Sequence, residues 1–200
     1  MRTATRYLLL SPLLFGLSVV AADPAPDAEE THALSSWELL TNGTFRDWDP
    51  KGPTGWQGDA GALLTKTEEM YQENVVMQME HAPDKTALLS QARDDIAKAL
   101  RPDDLLHAEI WVKCSEPNTV KFYVAFLYRI EGQLKWRAVP TMCPGDGQWN
   151  RVELDWVAQE KDLAESGRPI VVGVNLWMDA KATKPVYFAG ARAWIANAGL

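Results

Sequence analysis

Residues 105–156 constrain the fold more than any other part of the chain, because they hold four alternating apolar segments with a turn signal between each pair. The segments read LLHAEIWVKC, VKFYVAFLYRI, LKWRAVPTM and WNRVELDW; the breaks are residues 115–118 around Pro117, the pair Glu131-Gly132, and Pro144-Gly145-Asp146-Gly147. Side chains on a strand alternate between faces, so Ala108, Ile110, Val112 and Cys114 share one face and His107, Glu109, Trp111 and Lys113 the other. In the second segment Phe122, Val124, Phe126 and Tyr128 face one way, and Lys121, Tyr123, Ala125, Leu127 and Arg129 the other. A strand that is apolar on one side and carries Tyr and Arg on the other suits one sheet of a sandwich, core inward and polar surface outward.

The start of the chain reads as an export leader. Arg2 and Arg6 precede an apolar run over residues 7–20, and Val20-Ala21-Ala22 supplies the small residues a signal peptidase needs. The run is short and broken by Pro12, so it predicts a cleaved signal peptide over residues 1–22 rather than a membrane anchor. No cysteine follows closely enough to take a lipid, which predicts a secreted or periplasmic protein with no membrane insertion after cleavage. Residues 23–36, rich in Asp, Glu, Pro and Ala, read as a disordered acidic linker, and the folded domain is predicted over residues 37–197.

Removing residues 1–22 takes the formal charge from −7 to −9, since Arg2 and Arg6 go with them. That balance argues against nucleic acid or anionic lipid as partner, both of which call for basic patches. It is no obstacle to a neutral sugar. Nine tryptophans are many for 200 residues, which makes tryptophan the residue type to account for. The only cysteines are Cys114 and Cys143, and an oxidising compartment favours a bridge between them. If the first three strands form a simple meander, however, the middle strand holds the two apart. The sequence leaves both outcomes open.

Outside the central stretch, residues 37–40, 62–65, 73–80, 86–91, 170–178 and 186–195 read as further strands, and residues 94–101 as the one helical segment, stopped by Pro102. Phe45, Trp48 and Trp56 anchor a long loop rich in Asp, Pro and Gly, and residues 159–167 form a polar excursion. Many short strands at regular spacing with a single helical turn predict an all-β antiparallel sandwich of jelly-roll type.

The order of these features resembles the jelly-roll, galactose-binding-domain-like carbohydrate-binding modules of the cellulose- and xylan-binding type. The resemblance rests on Asn42-Gly43-Thr44-Phe45 followed by Trp56, on Leu100-Arg101-Pro102 leading into Ala108-Glu109-Ile110-Trp111-Val112-Lys113, on Gly147-Gln148-Trp149-Asn150-Arg151-Val152, and on a closing strand over residues 186–194. It implies a non-catalytic domain that takes a polysaccharide or oligosaccharide on one sheet face. Many members also hold a structural calcium through an Asp pair in the last strand, but here that strand reads Tyr187-Phe188-Ala189-Gly190-Ala191-Arg192. Without a carboxylate there a hard cation lacks its preferred ligand, so no cofactor is expected.

Sugar recognition needs flat aromatic rings to cover pyranose faces and planar polar groups to hold hydroxyls. On the alternation above, the candidates are Trp177, Tyr123, Trp136 and Trp111, with Asn175, Arg129 and Glu109 as polar partners. Catalytic patterns are weak by comparison. Glu153 and Asp155 share a strand face, as paired glycosidase carboxylates would, but the laminarinase-like pattern needs a further Glu where Ala158 stands. The three histidines are spread along the chain, and there is neither a phosphate loop nor a nucleophile elbow. The competing expectation is the same sandwich used as an envelope or secreted protein-interaction domain with no sugar ligand; a glycoside hydrolase is the weaker third.

Overall fold

A computed structural model describes residues 38–163 and 169–197; the predicted leader, the linker and Trp37 lie outside the described residues. After the turn at residues 41–44 come three short pieces, β1 (Trp48–Asp49), β2 (Gly52–Pro53) and β3 (Gln57–Gly58). Longer strands follow: β4 (Ala62–Tyr71), β5 (Asn74–His81) and β6 (Ala87–Arg93), then helix α1 (Asp94–Ala99) and β7 (Asp104–Lys113). The chain continues through β8 (Val120–Ile130), β9 (Gln133–Met142), β10 (Trp149–Val157), a helical turn α2 (Glu160–Leu163), β11 (Pro169–Met178) and β12 (Val186–Asn197).

Two five-stranded antiparallel sheets face each other in a jelly-roll sandwich. The first runs β10-β7-β12-β5-β4 and the second β3-β6-β11-β8-β9. Alternation explains which side of each strand is hidden: Ala108, Ile110, Val112 and Cys114 of the first sheet, and Phe122, Val124 and Phe126 of the second, are all at most 2 % exposed. Across the gap the rings of Phe126 and Trp156 lie 4.2 Å apart, tying β8 to β10. Among the described residues no helix is long and apolar enough to cross a membrane.

The four central strands do not form a meander. β7 and β10 pair in the first sheet, residue for residue from Trp149↔Lys113 to Val157↔Leu105, while β8 and β9 form a hairpin in the second. The chain therefore crosses the sandwich after β7 and again after β9, which overturns the arrangement that would have separated the cysteines. Cys114 and Cys143 both come to the same end of the core, buried and with free thiols. Burial, and secondarily the neighbouring Cys114, push the Cys143 thiol up to about 12.

The opening segment is stitched on by a buried amide. Gln91, on the inward side of β6, accepts from Thr41 N at 2.5 Å and donates through Nε2 to the carbonyls of Thr41 and Gly55, each at 3.0 Å. A buried polar group that spends its hydrogen-bonding capacity in this way costs little. It holds the 41–58 loop over the sandwich, where Phe45 is fully buried with its ring 5.5 Å from Trp56.

His81 ends β5 between two carbonyls, Nδ1 at 2.9 Å from Ala82 O and Nε2 at 2.7 Å from Ala182 O. A neutral imidazole has one N–H, so both contacts are hydrogen bonds only when the ring is protonated. The Ala182 carbonyl, and next that of Ala82, accordingly raise its pKa above the ordinary 6.5. A raised folded-state pKa contributes stability that is complete below the unfolded value and is lost as pH climbs through the folded one. The thermal midpoint is thus expected to fall as pH rises above the ordinary 6.5, and His81→Gln to flatten that part of the profile. An unchanged slope in the variant would assign the titration to another group.

Candidate functional site

The outer face of the second sheet carries a trough that runs across its strands. Its floor is a row of small residues set by the register: Ala92 pairs with Gly173, Gly173 with Ala125, and Ala125 with Ala138. On one side the next row brings Ser90, Asn175, Tyr123 and Pro140 side by side, and behind it Leu88, Trp177, Lys121 and Met142. On the other side Leu127 pairs with Trp136. Two adjoining hollows of about 310 and 370 Å³ result, and both are lined by Tyr123 and Trp136.

Trp136 stands 71 % exposed on the edge strand β9, while Trp177 and Tyr123 are half-buried. The Lys121 ammonium lies over the Trp177 ring, 4.6 Å from its centroid, a distance at which the ring quadrupole attracts a cation. Burial, with a smaller contribution from Asp59, raises the pKa of the Tyr123 phenol, so its hydroxyl remains a donor across the physiological range. Asn175 is buried, with Nδ2 donating to Gly173 O at 3.0 Å. Arg129 is exposed farther along the same face of β8. Tyr123, Trp136, Trp177, Asn175 and Arg129 thus share one surface. The sequence showed Lys121 on that face without marking it as part of a site; its parity with Tyr123 was the available signal.

Glu109 and Trp111 are separated from this group. They face outward from β7 in the first sheet, on the opposite side of the molecule, because alternation gives the face of a strand but not its sheet. Trp111 is covered there: Tyr71 meets it edge-on at 5.3 Å and stacks on Trp149 at 4.3 Å. Glu109 is 8 % exposed and paired with Arg151, which also reaches Glu153 Oε1 at 2.8 Å; Arg192 lies 3.7 Å from Glu109 Oε1. His107 joins the cluster, donating from Nδ1 to Asp155 Oδ1 at 2.5 Å.

Ligand atoms of His107, Glu109 and Glu153 lie within 4.8 Å of one another, a convergence that the sequence spacing had not suggested. Pairing of β7 with β10 creates it, by setting Glu153 opposite Glu109 and Asp155 opposite His107. Arg151 bridges the two glutamates, so the group is organised as an ion-pair network. The same contacts engage Glu153 and Asp155.

The closing strand lines a further hollow with Gly190, Ala191 and Arg192, together with Glu38, Gly43, Asn74 and Glu109, and the Ala191 N–H there is bonded to Gly43 O at 2.9 Å. The charged side chain that the strand itself contributes there is the Arg192 guanidinium.

No protein-family model matches the chain, and comparison with curated proteins finds no match. Solved structures with the same architecture do exist. The C-terminal family 22 carbohydrate-binding module of a Clostridium thermocellum xylanase superposes with a TM-score of 0.53 at 13 % identity, over 88 % of this chain and all of that one. A family 16 carbohydrate-binding module gives 0.53 at 18 % identity, over 80 % of this chain and 99 % of its own. An enzymatically active domain of a tailspike protein of bacteriophage CBA120 gives 0.58 at 11 % identity, with 80 % of this chain covered; the match spans about a fifth, 21 %, of the tailspike chain. The fold is therefore that of the jelly-roll carbohydrate-binding modules, two of which it covers essentially end to end.

Proposed function

We propose that this is an exported, non-catalytic domain that recognises a glycan by stacking sugar rings on Trp136, Tyr123 and Trp177 in the trough of its second sheet. The observation that carries the reading is the exposure of Trp136 beside two further rings around one hollow. A large indole left open to water on a sheet face marks a surface built to be covered. Ser90 and Asn175, which line the larger hollow, would meet hydroxyls of the stacked rings, with Arg129 farther along the same face. Glu109 and Trp111 have no part in this site, and neither a calcium ion nor another cofactor is needed for it.

Affinity electrophoresis of the mature chain through gels containing soluble polysaccharides tests the reading. Retarded migration with at least one glycan is expected, and Trp136→Ala or Trp177→Ala should weaken it about 30-fold, the ~2 kcal/mol that truncating a buried aromatic anchor commonly costs. Indifference to every glycan would overturn it. One observation favours a protein partner instead: β9 is a free edge strand with Leu134 57 % and Met142 40 % exposed beside Trp136, a surface on which an extended segment could add a strand.

A further inference from the structure

We infer that the glycan taken by this face is anionic, a polysaccharide or oligosaccharide of uronic acids; this rests on the sugar-binding reading of the same trough. The chain as a whole is acidic, with 27 Asp and Glu against 20 Lys and Arg. The trough departs from that balance. Among the described residues no carboxylate lines either hollow, and the charged side chain that does is Lys121. The outward positions of β8 carry Lys121 and Arg129, four residues to either side of Ala125 in the floor, so their Cα atoms lie about 14 Å from that of Ala125 in either direction given roughly 3.4 Å per residue. Three acidic side chains, Glu109, Glu153 and Asp155, stand together on the other sheet.

A carboxylate that acts on the site is already engaged. Asp59, the group whose charge reaches Tyr123, accepts through Oδ1 from Gly61 N at 3.0 Å and Leu88 N at 3.1 Å. Lys121 is in no ion pair among the described residues, and its ammonium rests on the π face of Trp177. A cation parked on an aromatic ring beside an open hollow has the position to meet a carboxylate on a sugar lying against Tyr123. A neutral glycan would leave that ammonium without a counter-charge, and an acidic face at this site would repel a polyanion that the rest of the surface already disfavours.

Isothermal titration calorimetry with oligogalacturonate and with neutral xylo-oligosaccharides of equal length decides the matter. The acidic oligomer is expected to bind at least tenfold more tightly, with the advantage shrinking as salt is raised. Lys121→Gln should lose about tenfold more for the acidic oligomer than for the neutral one, and Lys121→Arg should keep most of it. Neutral oligomers binding as tightly as the acidic one would overturn the charge assignment and leave sugar recognition standing. Binding of neither sugar would remove both, and equal binding of polyglutamate would reduce the face to a generic polyanion surface and overturn the inference as well.

Discussion

Phe126→Ala is expected to cost about 3–5 kcal/mol of folding free energy, the range measured for removing a fully buried aromatic side chain. Phe126 has no exposed surface, packs against Trp156 of the facing sheet at 4.2 Å, and has Tyr128 6.5 Å away along its own strand. The loss combines forfeited transfer energy with a cavity between two sheets whose separation is set by many other side chains, so collapse around the gap is limited. For a domain of this size the thermal midpoint should fall by on the order of 10 °C. Urea denaturation provides the measurement; a loss under about 1 kcal/mol would mean that the sheets are not joined through this ring.

Gly43→Ala should cost on the order of 3 kcal/mol by a different route, overpacking against main chain. A Cβ at this position would lie 1.9 Å from the Ala191 carbonyl oxygen and 3.1 Å from its carbon. Neither atom belongs to a side chain that can swing aside, so the turn or the closing strand must move. Movement breaks the Ala191 N→Gly43 O bond of 2.9 Å and disturbs the Val75 N→Thr44 O bond of 3.1 Å beside it. Phe45, fully buried two residues on, would lose its seat against Trp56. A drop in the denaturation midpoint with altered near-ultraviolet tryptophan signal is the expected result, and wild-type stability in Gly43→Ala would show that the turn does not dock as described.

Gly43 also shows where sequence reading stops. Asn42-Gly43-Thr44-Phe45 was legible as a turn with a resemblance to known modules, but nothing local says why its second residue must be glycine. The reason is the carbonyl of Ala191, nearly 150 positions away. The site divides along the same line. The alternation of β8 and β11 put Tyr123 and Trp177 outward with Asn175, and that pattern is local, since a strand's faces follow from its own pleat. The same rule put Trp111 and Glu109 outward just as correctly, yet on the other sheet, where Tyr71 and an arginine pair cover them.

What the chain by itself determined is therefore most of the longer strands, the two faces of the central ones, the helix after β6 and the jelly-roll class, because these depend on periods of two and on turn residues read within a few positions. The strand expected at residues 37–40 is only a bridge from Glu38 to Trp194 among the described residues, and the short pieces β1 to β3 and the second half of β4 carried no such signal. What only the tertiary structure decided is the partnership of those strands. β7 and β8 are neighbours in sequence and belong to opposite sheets, so Cys114 meets Cys143, His107 meets Asp155, and Trp136 reaches the trough beside Tyr123. Pairing across a sandwich is chosen by the summed fit of two apolar faces, a property of the whole core that no short segment carries.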